Sequence, residues 1–563
     1  VINKQTEVVP RIQTLALKTN VLGGGSFLFS IQSLMAKKII SWGDYMHWAY
    51  QIAEKLIQKY PTKEVFTCSS GISPSGSVHI GNFREIVTTF FVVKALESMG
   101  KKTRFIFSWD DFDRLRKVPQ NVSSSYETYI GMPYSDVPNP FGKGSYASHF
   151  EEEFEHSLLA FDIEPQFIYQ NIEYRSGRYE PYIQTALKKR LEIYDILMRF
   201  KSSSPMKEER ETFYPITLYC NVCNKDTTTI ISVNTEVEIF EYECTCGNKG
   251  SQTLSESNNI KLNWKVDWAM RWMVEEVVFE PGGRDHSSAT GSYNVSKVIA
   301  KEIFDYEAPD YASYEFIGLK GTNQKMSSSS GNVITPNELL NVYTPELILF
   351  MFAKYNPNTA FNIGLDEDVL RNYSEFERYQ SSYIQGLLKD EHLIHSLKLA
   401  GANRLVKQPN FSQVASIFSL IGFNKNLLHT SLSQTGEDFT IEEITHISYR
   451  VAHWINYWNP NRLVSINEEK NTLYYNSLPK LQQEKVKQLD DLLSFEPTLT
   501  GDSLMKKIYA ICHQDDKKRM REYQKDLFKN VYQLVMNENS GPRLPLLINA
   551  VGRKKIIELL TFS

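Results

Sequence analysis

The sequence predicts an α/β protein: a doubly wound parallel sheet followed by an all-helical unit. Three observations predict it. From residue 64 the pattern runs strand, loop, helix, strand, with "EVFTC", the loop "SGISPSGSVHIGNFRE" at 70–85, "FREIVTTFFVVKALESMG" and then "TRFIFSW". A helix, a glycine stop and a second apolar strand make a βαβ unit, whose default setting is a parallel sheet. Sheet-like text returns at "VVFEPGGRDH" and "YEFIGLKG", and beyond about residue 340 everything reads as helices with no internal repeat.

Residues 1–40 read as an N-terminal extension: a glycine triplet, few charges and no clear periodicity up to Met35, without the basic start or cleavage site of a secretory signal. Met35 opens a helix-like run, "MAKKIISWGDYMHWAYQIAEKLI". After the first strand comes the loop at 70–85, and Phe83, Ile86, Val87, Phe90 and Val93 then recur at helical spacing, so a helix starts near Gly81. A helix N-terminus offers free N–H groups and positive dipole, and small residues let a ligand approach, which suits a phosphate. A plain glycine-rich βα loop is the other reading. The second strand ends in "WDDFDRLRK", which puts Asp110, Asp111 and Asp113 at the same end. Residues from about 120 to 205 read as a helical, charged insertion that suspends the sheet, and 213–258 as a compact β-rich ribbon. A second glycine and serine loop, "NQKMSSSSGNVITP", closes the sheet region. The resulting division is 41–345 for the sheet domain, 346–390 for a connecting helical segment and 391–563 for a helical domain.

Composition is ordinary for a globular chain of 563 residues, 42% hydrophobic and 23% charged, so material for several cores is present. A net charge of −4 argues against a histone-like partner but leaves local basic faces free to bind nucleic acid. No apolar run approaches the roughly 18 to 20 residues of a membrane span. Six cysteines are no disulfide framework in so long a chain, and four of them pair closely, which suits a metal in a reducing cytosol. Cys220, Cys223, Cys244 and Cys246 read C-x2-C then C-x-C, close to zinc-ribbon spacing: four thiolates close a structural Zn²⁺ site with no open position. The tighter C-x-C half leaves open a ribbon that has lost tight metal binding. Cys68 and Cys512 read as buried apolar residues.

"HIGN" at 79–82 and "KMSSSSGN" at 325–332 resemble the two signatures of class I aminoacyl-tRNA synthetases. With "SGISPSG", "SWDDFDRLRKVP", "DWAMRW", "GGRDH" and the near-terminal "GPRLP", the chain from about residue 41 to its end is most similar to the class I lysyl-tRNA synthetases of archaea and some bacteria. The resemblance implies a Rossmann-like catalytic domain with inserted helical and zinc-ribbon regions and an all-α C-terminal anticodon-binding domain. It implies ATP-dependent activation of L-lysine, transfer to the 2′-OH at the 3′ end of tRNA(Lys), and a monomeric cytoplasmic enzyme that needs no membrane. Activation itself is expected to require bound tRNA.

Activation means attack of the lysine carboxylate on the α-phosphorus of ATP with loss of pyrophosphate, a reaction served by positioning and charge stabilisation. By resemblance His79, Asn82, Lys325 and Ser327 are catalytic, and Pro74, Gly76, Gly81, Gly283, Asp285 and Met326 join His79, Asn82 and Lys325 around ATP with its Mg²⁺. His79 can donate to phosphates, Gly81 leaves room for adenine, and Lys325 supplies a mobile cation. Asp285 can accept both ribose hydroxyls, or serve as a turn residue. Two positions depart from the usual spelling: Asn82 ends the first motif, and Ser328 stands where a second lysine is usual, so either Lys325, Mg²⁺ and Lys320 suffice or activation is slower than in relatives that keep both lysines. A lysine substrate needs acids for its ammonium groups and apolar walls for its stem. Asp110, Asp111, Asp267 and Trp268 are candidates, Asp267 being bracketed by Trp264 and Trp268; His286 borders the pocket, and Gly71 and Ser73 join by resemblance. The tryptophans could equally be core and the aspartates a surface set. In the helical third, Arg404, Arg450, Arg553, Lys554 and Lys555 with Trp454, Tyr457 and Trp458 offer cations and stacking faces for RNA. The alternatives are a class I enzyme for glutamate or cysteine, or a zinc-ribbon RNA-binding paralogue without aminoacylation.

Overall fold

The computed structural model describes residues 47–562 except 202–205, 235–238, 256–258, 322–332 and 405. The extension 1–40, the start of the helix proposed from Met35, and the second signature loop with Lys325, Met326, Ser327 and Ser328 therefore lie outside the described residues.

Helix α1 (Trp48–Lys59) is capped by His47, whose Nδ1 accepts from the Ala49 amide at 3.2 Å. Strand β1 (Val65–Ile72), α2 (Ile80–Ser98) and β2 (Lys102–Trp109) form the βαβ unit read from the sequence. α2 is not amphipathic in place: it is buried along nearly its whole surface, because the sheet covers one side and α1 and later helices cover the other. Next come α3 (Tyr146–Leu159) and β3 (Gln166–Tyr169). β3 pairs in parallel with β2, Trp109 opposite Tyr169. The segment 120–205 thus contributes a strand to the sheet rather than suspending it; four residues, "QFIY", are too short a signal to stand out among helices.

The ribbon follows. β4 (Ile216–Leu218) and β8 (Ile260–Leu262) form an antiparallel base, and between them β5 (Thr228–Asn234), β6 (Ile239–Cys244) and β7 (Lys249–Thr253) make a three-stranded sheet. The chain re-enters the main sheet through α4 (Trp264–Val274), β9 (Val277–Gly283), α5 (Ser292–Phe304) and β10 (Asp310–Tyr314). The five strands are parallel in the order β10-β9-β1-β2-β3. β11 (Ile317–Leu319), α6 (Pro336–Leu340), α7 (Pro345–Lys354) and β12 (Phe361–Ile363) complete this half. β12 pairs in parallel with β11, so the connecting segment is not purely helical. From Asp368 onward the described residues are helical, among them α8 (Ile441–His453).

The largest apolar core surrounds α2, continues to Ile455 and takes in Leu546, while the other buried apolar residues of 486–560 build a second core. No helix among the described residues is long and apolar enough to cross a membrane.

Candidate active site

In the sheet, β2 and β3 extend to one side of β1 and the chain returns with β9 and β10 on the other, so the order reverses between β1 and β9. Ligands of such sheets bind beyond the strand C-terminal ends at that reversal. A cleft of about 560 Å³ lies there, lined by Ser73, His79 and Asn82 from the first signature and by Gly283, Asp285 and His286 from the end of β9. Pro74 and Gly76 are buried in the body of the loop and do not line it.

His79 is the N-cap of α2. Its Nδ1 accepts from the amides of Gly81 (3.0 Å) and Asn82 (3.4 Å), its carbonyl accepts from Asn82 and Phe83, and the Ile80 amide donates to the Ile334 carbonyl at 2.9 Å. The first-turn amides are thus spent inside the protein, which corrects the reading of an open backbone anion cradle. The helix dipole and the His79 imidazole border the cleft, and the imidazole carries its proton on Nε2 when Nδ1 accepts. A Cβ at Gly81 would stand 2.7 Å from His79 Cε1, so the fold itself requires glycine there. Among the described residues lining the cleft Arg116 supplies the lysine or arginine cation, ion-paired with Asp113 at 3.7 Å. Lys320 is not such a cation. Its ammonium is held by Asp366 (3.0 Å) and Asp368 (2.8 Å).

An inner cavity of about 50 Å³ adjoins the cleft and shares Gly71, Glu85, Asp110, Trp264 and His286 with it. Its walls are Trp264, Trp268 and Trp272; Trp264 and Trp268 stack at 5.1 Å, and His286 meets the edge of Trp268 at 5.8 Å. Asp110 lines it and accepts from Arg271 Nη1 at 2.8 Å. Glu280, in the middle of β9, accepts from the indoles of Trp268 (3.1 Å) and Trp272 (2.5 Å). Glu85, one turn after Gly81, accepts from the Gly71 amide (3.0 Å) and the Tyr314 hydroxyl (2.7 Å). Neither Glu85 nor Glu280 makes an ion pair among the described residues. Burial accordingly pushes their pKa values up, to about 8 for Glu85 and about 7 for Glu280.

Two proposed pocket residues are elsewhere. Asp111 turns to the opposite side from Asp110, as consecutive residues at a strand end do, and accepts from the Asn171 amide at 2.8 Å and from its side chain. Asp267 is fully buried, bonded to Tyr174 and to Arg271 at 3.3 Å, and lines neither cavity. The sequence reading missed Glu85, Arg271, Glu280 and Arg116. A lone acid in "VVFEPGG", an otherwise buried strand, was the clearest available signal.

The four ribbon sulfurs lie within 4.8 Å of one another, with Cys220 and Cys246 at 3.8 Å and Cys223 and Cys244 at 3.6 Å. Tetrahedral zinc with Zn–S bonds of about 2.3 Å requires sulfurs about 3.8 Å apart, so the donor set fits. The Val222 amide and Asn248 side chain donate to Cys220 Sγ, as they would to a thiolate. Cys68 and Cys512 are buried and unbonded to another cysteine.

In the helical third, most residues offered for RNA are structural. Trp454 is fully buried and donates to the Leu365 carbonyl; Arg450, Arg553 and Lys555 hold backbone carbonyls. Trp458 packs against the main core, while Arg404, Lys554 and Tyr457 are exposed.

A family profile described as tRNA synthetases class I (K) matches residues 46–400. The chain is 33% identical to a lysine–tRNA ligase of Treponema pallidum over 92% of its length and 98% of that protein's. It is 34% identical to one of Borreliella burgdorferi (90% and 97%) and 33% to one of Pyrococcus horikoshii (92% and 99%). Among solved structures, a glutamate tRNA ligase of Elizabethkingia meningosepticum aligns with a TM-score of 0.44 and 12% identity over 88% of this chain and 98% of its own.

Proposed function

The chain belongs to the class I lysyl-tRNA synthetases, enzymes that activate lysine with ATP and join it to tRNA, and from that premise we propose how its pocket divides the work. The inner cavity takes the lysine side chain. Its stem lies against Trp264 and Trp268, and its ε-ammonium supplies the direct ion-pair partner that Glu85 and Glu280 do not have among the described residues. Those two buried carboxylates, neither in a salt bridge among the described residues, beside tryptophan walls are the observation that carries the reading: a bound ammonium favours their charged forms, whereas a glutamate carboxylate would disfavour them. Asp110, already bonded to Arg271, faces the junction of cavity and cleft and suits the α-ammonium.

The lysine carboxylate then points into the cleft. It attacks the α-phosphorus, the bond to the β-phosphate oxygen breaks, and pyrophosphate leaves. Asp285 holds the ribose, His79 donates from Nε2 to the phosphates, and Arg116 and Lys325 balance charge as pyrophosphate departs. Mg²⁺, when it accompanies ATP, neutralises phosphate oxygens. The tRNA 3′-terminal hydroxyl next attacks the adenylate carbonyl and AMP leaves. Cys220, Cys223, Cys244 and Cys246 hold one structural Zn²⁺, the helical third binds the anticodon, and the enzyme works in the cytoplasm.

Exchange of labelled pyrophosphate into ATP tests this, with lysine, glutamate or cysteine, each with and without tRNA. Lysine with tRNA should support exchange and the other two should not. Glu85→Gln should raise the lysine KM by roughly 10- to 100-fold, the worth of a hydrogen bond to a charged group, with a smaller change for ATP. An unchanged lysine KM would remove Glu85 from the pocket.

A further inference from the structure

Three aromatic rings climb one face at the end of α8, at Tyr449, His453 and Tyr457. Spacing of four residues keeps them on one side of the helix. His453 and Tyr457 stack at 4.6 Å, and Tyr449 follows at 6.2 Å. Tyr449 is 57% and Tyr457 74% exposed, high values for rings held in order. The order comes from beneath. Residues Trp454–Trp458 form a π-helical turn, a rare conformation often found at functional positions, and Trp454 is anchored in the core by its bond to the Leu365 carbonyl at 2.9 Å.

The position of this ladder matters as much as its rings. The Tyr449 hydroxyl donates to Asn341 Oδ1 at 3.1 Å, and His453 lies close enough to Glu338 to feel its charge. Glu338 is in α6 and lines a groove of about 370 Å³ that begins at Ser77, on the first signature loop, and passes Val333 and Thr335. The ladder thus sits beside Glu338, which with Ser77 of the first signature loop lines that groove. Transfer requires the tRNA 3′ end in that cleft, so RNA is present on this side during the reaction. An acid beside the rings disfavours a phosphate and leaves the neutral face of a base as the group that fits.

We propose that Tyr449, His453 and Tyr457 are a stacking platform for an unpaired base of the tRNA, located near the nucleotide cleft and separate from the anticodon-binding end. This rests on the chain's being a tRNA ligase. The test uses the full-length enzyme with lysine tRNA, comparing Tyr457→Ala, Tyr449→Ala and Tyr457→Trp. Direct binding and lysylation kinetics should show tRNA affinity reduced by about 5- to 100-fold in the alanine variants, the range for loss of one base–aromatic stack. Tyr457→Trp should restore it, and the lysine and ATP KM values at saturating tRNA should stay as in the parent. If the parent binds and lysylates tRNA and both alanine variants match it, the platform is wrong and the ligase reading stands. If the variants lose lysine and ATP parameters together with tRNA affinity, the rings are structural and the proposal falls. A parent that neither binds nor lysylates tRNA would overturn both.

Discussion

Glu280 shows how a single residue can oppose the fold and serve the substrate. Its carboxyl ordinarily titrates near 4.5; burial raises it to about 7, and Glu85 to about 8. A folded-state value above the unfolded one means the native state holds its proton more tightly, so stability present below about 4.5 is lost as pH rises through the folded values. The ligand-free enzyme should therefore melt at a lower temperature at pH 8 than at pH 6, and lysine should narrow the difference. Glu280→Gln should flatten the pH dependence; calorimetry across that range checks it, and an unaltered slope would count against Glu280 as a contributor. The same scale explains what the sequence disclosed. His79 and Asp285 line the cleft where turn chemistry at strand ends pointed, and Gly71 lines it where the family resemblance pointed. Glu85 was not, since its partner Tyr314 is 229 positions away and an acid inside a helix reads as surface. Asp111 and Asp267 misled because chemical type says nothing about which side of a strand or helix a carboxylate faces.

Among the elements, the ribbon was the most legible, because metal spacing is a local signal. Its base was hidden: β4 and β8 are three residues each and pair across more than forty positions. That base is what connects the cysteine cluster to the pocket. Lys261 of β8 pairs with Asp113, the Tyr219 hydroxyl donates to the Phe112 carbonyl at 2.8 Å, and Arg114 pairs with Asp226 at 2.7 Å. All three grip the segment that starts at Asp110. Cys220→Ser should therefore do more than reduce bound zinc from about one per chain. It should also raise the lysine KM several-fold through loss of Asp110 placement. Metal analysis alongside exchange kinetics decides this, and loss of zinc with unchanged kinetics would make the ribbon an independent module.

At the level of the molecule, the broad order of α/β sheet, ribbon and helices followed from periodicity, which says little about packing across residue 390. Helical text looks alike on both sides of it, and only packing reveals that residues up to Ile455 share the core around α2. The continuity predicts that a chain ending near residue 270 cannot stand alone, since it would lack β9, β10 and the helices that cover α2. Such a truncation should sediment as aggregate on expression, whereas a monomer with a cooperative unfolding transition would show that the first half is self-sufficient. The reversal of strand order between β1 and β9 has a cost in time as well as a use in binding. Those neighbours are separated by roughly 200 residues, and at about 5–20 residues per second of synthesis the β1 edge waits some ~10–40 s for its partner. During that interval a nascent chain carries an open strand edge next to a strongly apolar helix, a combination on which unfinished chains aggregate.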